Sequence, residues 1–154
     1  MSIFFKSILF VVFFSPCIKS SEYDITILAT NIANFGGIGE WSFSALIESE
    51  DESILFDTGF DENTVLHNAK LLGKDLSKVE KVILSHFHGD HTGGLIKLRQ
   101  TFMLKNPDAF SKVYVAEGFF EQRYDQNGNL KGFIGGFDDV SDFINATEKI
   151  GIDF

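Results

Sequence analysis

The sequence contains very little cysteine and little histidine. Its 154 residues include one cysteine, Cys17, and four histidines, none of which follows His91. A single cysteine excludes an intramolecular disulfide. Because Cys17 lies in a segment that we expect to be removed, the mature chain would also lack a thiolate nucleophile. Histidine chemistry must therefore come from the part of the chain up to His91.

Basic residues are fewer than acidic ones, 13 against 22, and the formal net charge is −9. Such a charge predicts repulsion from nucleic-acid phosphates and from anionic membrane surfaces. We therefore expect a small-molecule substrate, no nucleic-acid partner, and no stable membrane association after removal of the N-terminal segment. The length is sufficient for one domain with a hydrophobic core.

The longest apolar run lies near the N-terminus. Lys6 precedes the apolar residues 8–14, and Ser15-Pro16-Cys17 follows them. This run is too short to span a bilayer, and its layout is that of a secretory signal peptide. We expect residues 1–20 to be a signal peptide and residues 21–154 to form one domain, exported to the periplasm or secreted. An uncleaved N-terminal anchor is the alternative.

Alternating apolar and polar residues predict a series of short strands, and wider apolar spacing predicts helices. The predicted strands cover residues 23–30, 41–48, 53–56, 81–85 and 113–115. The predicted helices cover residues 61–72, a segment capped by Thr92 and extending to Phe102, and residues 140–150. Beyond Glu121 the sequence is polar and glycine-rich, which predicts a long loop or lid with turns at Asn127-Gly128 and Gly135-Gly136.

Three of the four histidines and one aspartate fall within six residues, His86-Phe87-His88-Gly89-Asp90-His91, directly after a predicted strand. Side chains two residues apart in an extended loop point the same way, so His86 and His88 can reach one metal ion. Asp90 and His91 are offset and can face a second ion. We expect the metal to be zinc. Bound zinc lowers the pKa of water to about 7, which would generate the nucleophile. We expect Asp90 to be the catalytic residue. Histidines that merely lie on a surface loop are the alternative.

Two further motifs have more than one interpretation. Asp57-Thr58-Gly59 follows an apolar strand, as in one half of an aspartic protease site, but the sequence has no second copy. We favour a carboxylate that supports the histidine loop and orients a ligand, and a plain turn is the third interpretation. His67 is a lone histidine in a predicted helix, and we expect it to be structural or exposed to solvent.

The histidine loop resembles the signature of the metallo-β-lactamase superfamily, H-x-H-x-D-H after a strand. The flanking segments Phe56-Asp57-Thr58-Gly59 and Thr92-Gly93-Gly94-Leu95 are similar to the branch named for 7,8-dihydropterin-6-methyl-4-(β-D-ribofuranosyl)aminobenzene-5′-phosphate synthase. The resemblance runs from about residue 23 to Phe154 and is strongest between residues 54 and 95.

This resemblance implies an α/β fold, an αβ/βα sandwich with two zinc ions at the sheet edge. It implies that His86 and His88 bind the first ion, that Asp90 and His91 bind the second, and that Asp57 supports the loop. It assigns no substrate-binding residue. The family completes its centre with ligands from later in the chain, including histidines, and this sequence has none after His91.

We therefore expect only the N-terminal half of the fold, truncated at the C-terminus and lacking the later ligands. The expected function is that of a metal-dependent hydrolase that uses metal-bound hydroxide, or a fragment of one. A non-catalytic remnant with weak or no metal binding is the alternative. Half of a sandwich would leave one apolar face of its sheet uncovered.

Overall fold

The structure is a computed structural model that describes residues 22–121, 123–131 and 140–154. The predicted signal peptide and the predicted Gly135-Gly136 turn lie outside these residues, and both stay predictions. The strands are β1 (Asp24–Ala29), β2 (Ser44–Glu48), β3 (Ser53–Phe56), β4 (Lys81–Leu84), β5 (Lys112–Val115), β6 (Arg123–Tyr124) and β7 (Leu130–Lys131). The helices are α1 (Thr64–Leu71), α2 (Gly89–Thr92), α3 (Leu95–Phe102) and α4 (Val140–Glu148), with a 3₁₀ turn at Leu76–Lys78.

Five strands form the main sheet in the order β1-β2-β3-β4-β5. The first three are antiparallel neighbours, and β3, β4 and β5 run parallel. An acidic turn, Glu50-Asp51-Glu52, joins β2 and β3 as a hairpin, closed by a hydrogen bond of 2.9 Å from the Ser49 N–H to the Glu52 carbonyl. Parallel neighbours need a crossover connection, and α1 lies between β3 and β4 in the chain. The carboxyl ends of β3 and β4 therefore share one sheet edge.

The two faces of this sheet differ in exposure. On one face Leu46, Leu55 and Val82 are each 0 % exposed and belong to the core with residues of the helices. On the other face Ile25 is 61 % exposed and Tyr114 is 52 % exposed. The described residues thus form an α/β fold with one covered and one open apolar face, as expected for one half of an αβ/βα sandwich.

Helix α1 is shorter than the predicted helix over residues 61–72 because a turn precedes it. The Asp61 carboxylate accepts the Asn63 N–H at 2.8 Å, which is a local side-chain turn that competes with helix formation. The helix ends before Gly73, whose φ is +69°, and the Lys74 N–H donates to the Ala69 carbonyl at 2.8 Å. Glycine is the residue that this left-handed helix end favours.

Thr92 does not cap α3, contrary to the prediction. It lies in the one-turn helix α2, where its hydroxyl donates to the His88 carbonyl at 3.0 Å. Helix α3 begins at Leu95 after Gly94. The hydroxyl is therefore used to close the histidine loop onto itself.

Residues 123–131, which lie within the predicted long loop, form a small hairpin. Strands β6 and β7 are antiparallel, and the predicted turn at Asn127-Gly128 connects them with a φ of +80° at the glycine. Helix α4 confirms the predicted amphipathic segment, and its Phe143 is fully buried. The longest described helix has nine residues, and none of the described helices is both long and apolar enough to cross a membrane.

Candidate metal centre

The histidine loop and the Asp57 turn lie side by side because they follow neighbouring parallel strands. The Asp57 N–H donates to the carbonyl of Ile83 in β4 at 2.8 Å. The Thr58 N–H then donates to the His91 carbonyl at 2.7 Å, and the Gly93 N–H donates to the Gly59 carbonyl at 3.0 Å. Three backbone hydrogen bonds thus fix one segment against the other.

The Gly93-Gly94 pair makes this close approach sterically feasible. A Cβ atom on Gly93 would lie 2.0 Å from the Phe60 carbonyl oxygen, and one on Gly94 would lie 2.2 Å from the Thr58 carbonyl oxygen. Both distances are far below van der Waals contact. The two glycines are therefore required by the packing of the histidine loop against the Asp57 turn.

Asp57 is a buried carboxylate that contacts the histidine loop. It is 1 % exposed, and its φ of 54° lies in the left-handed region, a backbone strain of about 1–3 kcal/mol. Its Oδ1 accepts the Ser85 N–H at 2.8 Å, and its Oδ2 accepts the Ser85 hydroxyl at 2.7 Å. Its Oδ2 also lies 2.7 Å from His91 Nδ1. These contacts favour the interpretation of Asp57 as a carboxylate that holds the histidine loop over the aspartic protease interpretation, because both of its oxygens are hydrogen-bonded within the chain.

In two of the histidine rings, Nδ1 contacts Asp57 or Ser85, and Nε2 lies next to another predicted metal ligand. His91 uses Nδ1 toward Asp57, and its Nε2 lies 3.5 Å from Asp90 Oδ2. His86 has its Nδ1 2.9 Å from the Ser85 hydroxyl, and its Nε2 lies 3.0 Å from His88 Nδ1. Metal-binding histidines typically engage the non-coordinating nitrogen in such a hydrogen bond, which sets the tautomer and the ring orientation.

His86, Asp90 and His91 form a group that fits a metal ion. One ligand atom from each residue lies within 4.8 Å of the others. Two imidazole nitrogens and one carboxylate oxygen are ligands that zinc accepts. Three of the four residues predicted as metal ligands therefore come together, with a donor set suited to a divalent cation.

His88 lies beside this group rather than within it. Its Nδ1 is 3.0 Å from His86 Nε2. Two nitrogens bound to one tetrahedral zinc ion lie about 3.3 Å apart, so this distance is close to the one that a shared ion would require. Its Nε2 is 2.8 Å from Arg123 Nη1. The assignment of His86 and His88 to one ion, and of Asp90 and His91 to another, stays a prediction.

Sequence reasoning missed Arg123 as a residue of this site. It lies in β6, 35 residues after His88. No local pattern signals the contact, because it depends on the fold of the segment after Glu121.

The pKa values of two of these histidines are shifted downward. Burial lowers the pKa of His86, and the neighbouring His91 and His88 lower it further. Burial also lowers the pKa of His88, with Arg123 as the next cause. Both rings therefore remain neutral down to a lower pH than an ordinary histidine does. The neutral ring is the form that binds metal.

An open cleft lies next to the cluster. It is lined by His88, Asp90 and two aromatic residues, Trp41 and Phe60. These two aromatic residues were not assigned a role from the sequence, and their exposure beside polar ligands is visible only in the fold. His67 lies outside the cluster, with Nε2 2.7 Å from the Gly36 carbonyl oxygen, a structural contact in agreement with its predicted role.

Comparisons with known proteins relate the chain to one superfamily. Residues 42–107, which hold the Asp57 turn and the histidine loop, match the metallo-β-lactamase superfamily. The 7,8-dihydropterin-6-methyl-4-(β-D-ribofuranosyl)-aminobenzene-5′-phosphate synthase of Methanocaldococcus jannaschii is 34 % identical over 103 residues, covering 59 % of this chain and 35 % of that protein. Ribonuclease Z of Thermococcus onnurineus is 41 % identical over 88 residues, covering 56 % of this chain and 27 % of the relative.

A solved structure shares the fold. The crystal structure of Tm1679, a metal-dependent hydrolase of the β-lactamase superfamily, is 32 % identical with a TM-score of 0.50. The match covers 70 % of this chain and 35 % of that one. The chain spans about a third of the length of these relatives.

The similarity to ribonuclease Z contradicts one prediction. The acidic net charge led us to expect a small-molecule substrate and no nucleic-acid partner, and that inference is wrong for a chain whose relatives include ribonucleases. Net charge sums over the whole chain, whereas phosphates are contacted locally, so a bound cation or a few basic residues can dominate a site in an acidic protein. The charge of the chain therefore carries no information about this site.

Proposed function

Since residues 42–107 of this chain belong to the metallo-β-lactamase superfamily, we propose that it is the N-terminal part of a metal-dependent hydrolase and supplies the histidine-loop ligands of its metal centre. The convergence of His86, Asp90 and His91 carries this proposal. We further propose that the metal is zinc and that the complete centre holds two ions.

The chain's own residues would hold the metal and orient the ligands. Zinc held by these residues would act as a Lewis acid and would lower the pKa of a water molecule to about 7. Asp57 fixes the tautomer of His91, and Ser85 does the same for His86. Asp90 lines the open cleft, so its carboxylate is placed to accept a proton at the substrate side, which is the catalytic role that we propose for it.

We propose a phosphodiester of a nucleic acid as the substrate class. Several relatives are ribonucleases, one of them 41 % identical over 88 residues. Arg123 adds a guanidinium group next to His88, and guanidinium groups bind phosphate oxygens with paired hydrogen bonds.

Export of the protein to the periplasm or the medium is a separate proposal, which N-terminal sequencing of the mature protein would test.

Zinc content and hydrolysis, measured on matched histidine variants, test this proposal. We expect the full chain equilibrated with zinc to retain the metal and to cleave bis(p-nitrophenyl) phosphate. His86→Ala should lose both properties, because His86 belongs to the ligand group. His67→Ala is the matched control, since this histidine lies outside the group, and it should behave as wild type.

The possible outcomes separate the two functional interpretations. Equal zinc content in wild type and His86→Ala would contradict the metal centre. Zinc retained by the wild type without any hydrolysis would mean that this chain binds the metal without being an enzyme by itself, which favours the non-catalytic alternative.

A further inference from the structure

Two large aromatic side chains are exposed next to the metal ligands. Trp41 is 79 % exposed and Phe60 is 62 % exposed, and with His88 and Asp90 they line one open cleft. Exposed aromatic residues beside a polar site are a feature of ligand recognition. We propose that Trp41 and Phe60 form a stacking platform for a nucleobase, which places the adjoining phosphate at the histidine loop. This inference rests on the proposed function and specifies its substrate.

One carboxylate holds the two aromatic positions in place. Glu40 Oε1 accepts the Phe60 N–H at 2.8 Å and the Ser42 hydroxyl at 2.6 Å. Glu40 Oε2 accepts the Asp61 N–H at 3.1 Å and the Thr64 hydroxyl at 2.9 Å. Glu40 thereby joins the residues on either side of Trp41 to the turn that carries Phe60. The backbone around both aromatic positions is thus fixed before binding, which lowers the entropy lost on binding.

The composition of the cleft favours a nucleotide over a purely apolar ligand. The aromatic residues offer ring faces on which any base can stack. On the other side lie the metal ligands, with the Arg123 guanidinium in contact with His88. A lipid chain would need a continuous apolar surface, and the polar His88 and Asp90 interrupt it. A base linked to a phosphate matches both sides of the cleft.

Trp41 is the only tryptophan of the sequence, so tryptophan fluorescence reports on this platform. We expect adenosine 5′-monophosphate to quench the fluorescence of the zinc-equilibrated full chain with saturation, and ribose 5-phosphate to leave it unchanged. Phe60→Ala should weaken binding of the nucleotide about tenfold, which is the scale of one lost stacking partner. Phe35→Ala is the matched control, because Phe35 is 99 % exposed and does not line the cleft.

Three results would overturn the platform. The first is equal saturable quenching by ribose 5-phosphate, which would assign the cleft to the sugar phosphate alone. The second is an unchanged nucleotide affinity in Phe60→Ala. The third is quenching by phosphatidylcholine vesicles with none by the nucleotide, which would assign the cleft to lipid.

The fluorescence and hydrolysis experiments can contradict the platform and the proposed function separately. Cleavage of bis(p-nitrophenyl) phosphate without a fluorescence response to the nucleotide would overturn the platform and leave the hydrolase intact. Saturable quenching in a chain that neither retains zinc nor cleaves the diester would support the platform and contradict the hydrolase.

Discussion

The centre has an inner half and an outer half with opposite properties. The inner half, Asp57, Thr58 and Gly94, is buried, and its polar groups are hydrogen-bonded within the chain. The outer half, Trp41, Phe60 and His88, lines an open cleft. The inner half fixes the position of the histidine loop, and the outer half faces the cleft in which we propose that the substrate binds. Substitutions in the inner half should therefore lower stability, whereas substitutions in the outer half should lower affinity.

Gly94→Ala should give the largest loss of stability. The new Cβ would lie 2.2 Å from the Thr58 carbonyl oxygen, so the Asp57 turn and the histidine loop must move apart. We expect the free energy of unfolding in urea to fall by about 3 kcal/mol.

Gly128→Ala separates this collision from backbone strain. Its φ is +80°, but nothing lies within 4 Å of the new Cβ, and we expect a loss of about 1 kcal/mol. Equal losses in the two variants would show that the inner half tolerates displacement, and the contrast between the halves would not hold.

Asp57→Asn should affect both stability and metal binding. Asparagine tolerates the positive φ of this position, so the variant isolates the loss of the carboxylate that pairs with His91. We expect the free energy of unfolding to fall by about 2 kcal/mol and zinc affinity, measured by competition with a chelating dye, to fall about tenfold or more. An unchanged zinc affinity would mean that Asp57 supports only the fold.

His88→Ala should leave stability nearly unchanged and still weaken zinc binding. The ring lies on the cleft side, so we expect a change in unfolding free energy of about 0.5 kcal/mol or less. Zinc affinity should fall about tenfold if this ring is a ligand, as predicted from the sequence. If the variant binds zinc as tightly as the wild type does, His88 is not a ligand, and His86, Asp90 and His91 alone form the ligand group.

The strands and the histidine loop were predictable because they depend on local patterns. Alternation placed β1 and β3 within a residue or two of their bounds. The loop lies at the end of β4 because its ligands follow the apolar strand directly. Asp57 was predictable as a support because it follows a neighbouring strand in the same way.

The rest depends on contacts between distant segments, which no local pattern contains. Thr92 is a favourable helix cap by composition, but the geometry of the histidine loop uses its hydroxyl instead. Arg123 reaches His88 only through the hairpin of β6 and β7. The inference against nucleic acid was wrong because it used a global charge to describe a local site.

The open face of the main sheet has a consequence for solution experiments. Ile25, Ile27 and Tyr114 are between 45 and 61 % exposed across that face, and fluorescent dyes that report hydrophobic surface bind such patches. We expect the folded chain to bind these dyes, a response usually taken as the signature of a molten globule. Near-ultraviolet circular dichroism, which detects fixed aromatic packing, is thus the better measure of whether a variant has kept its native structure.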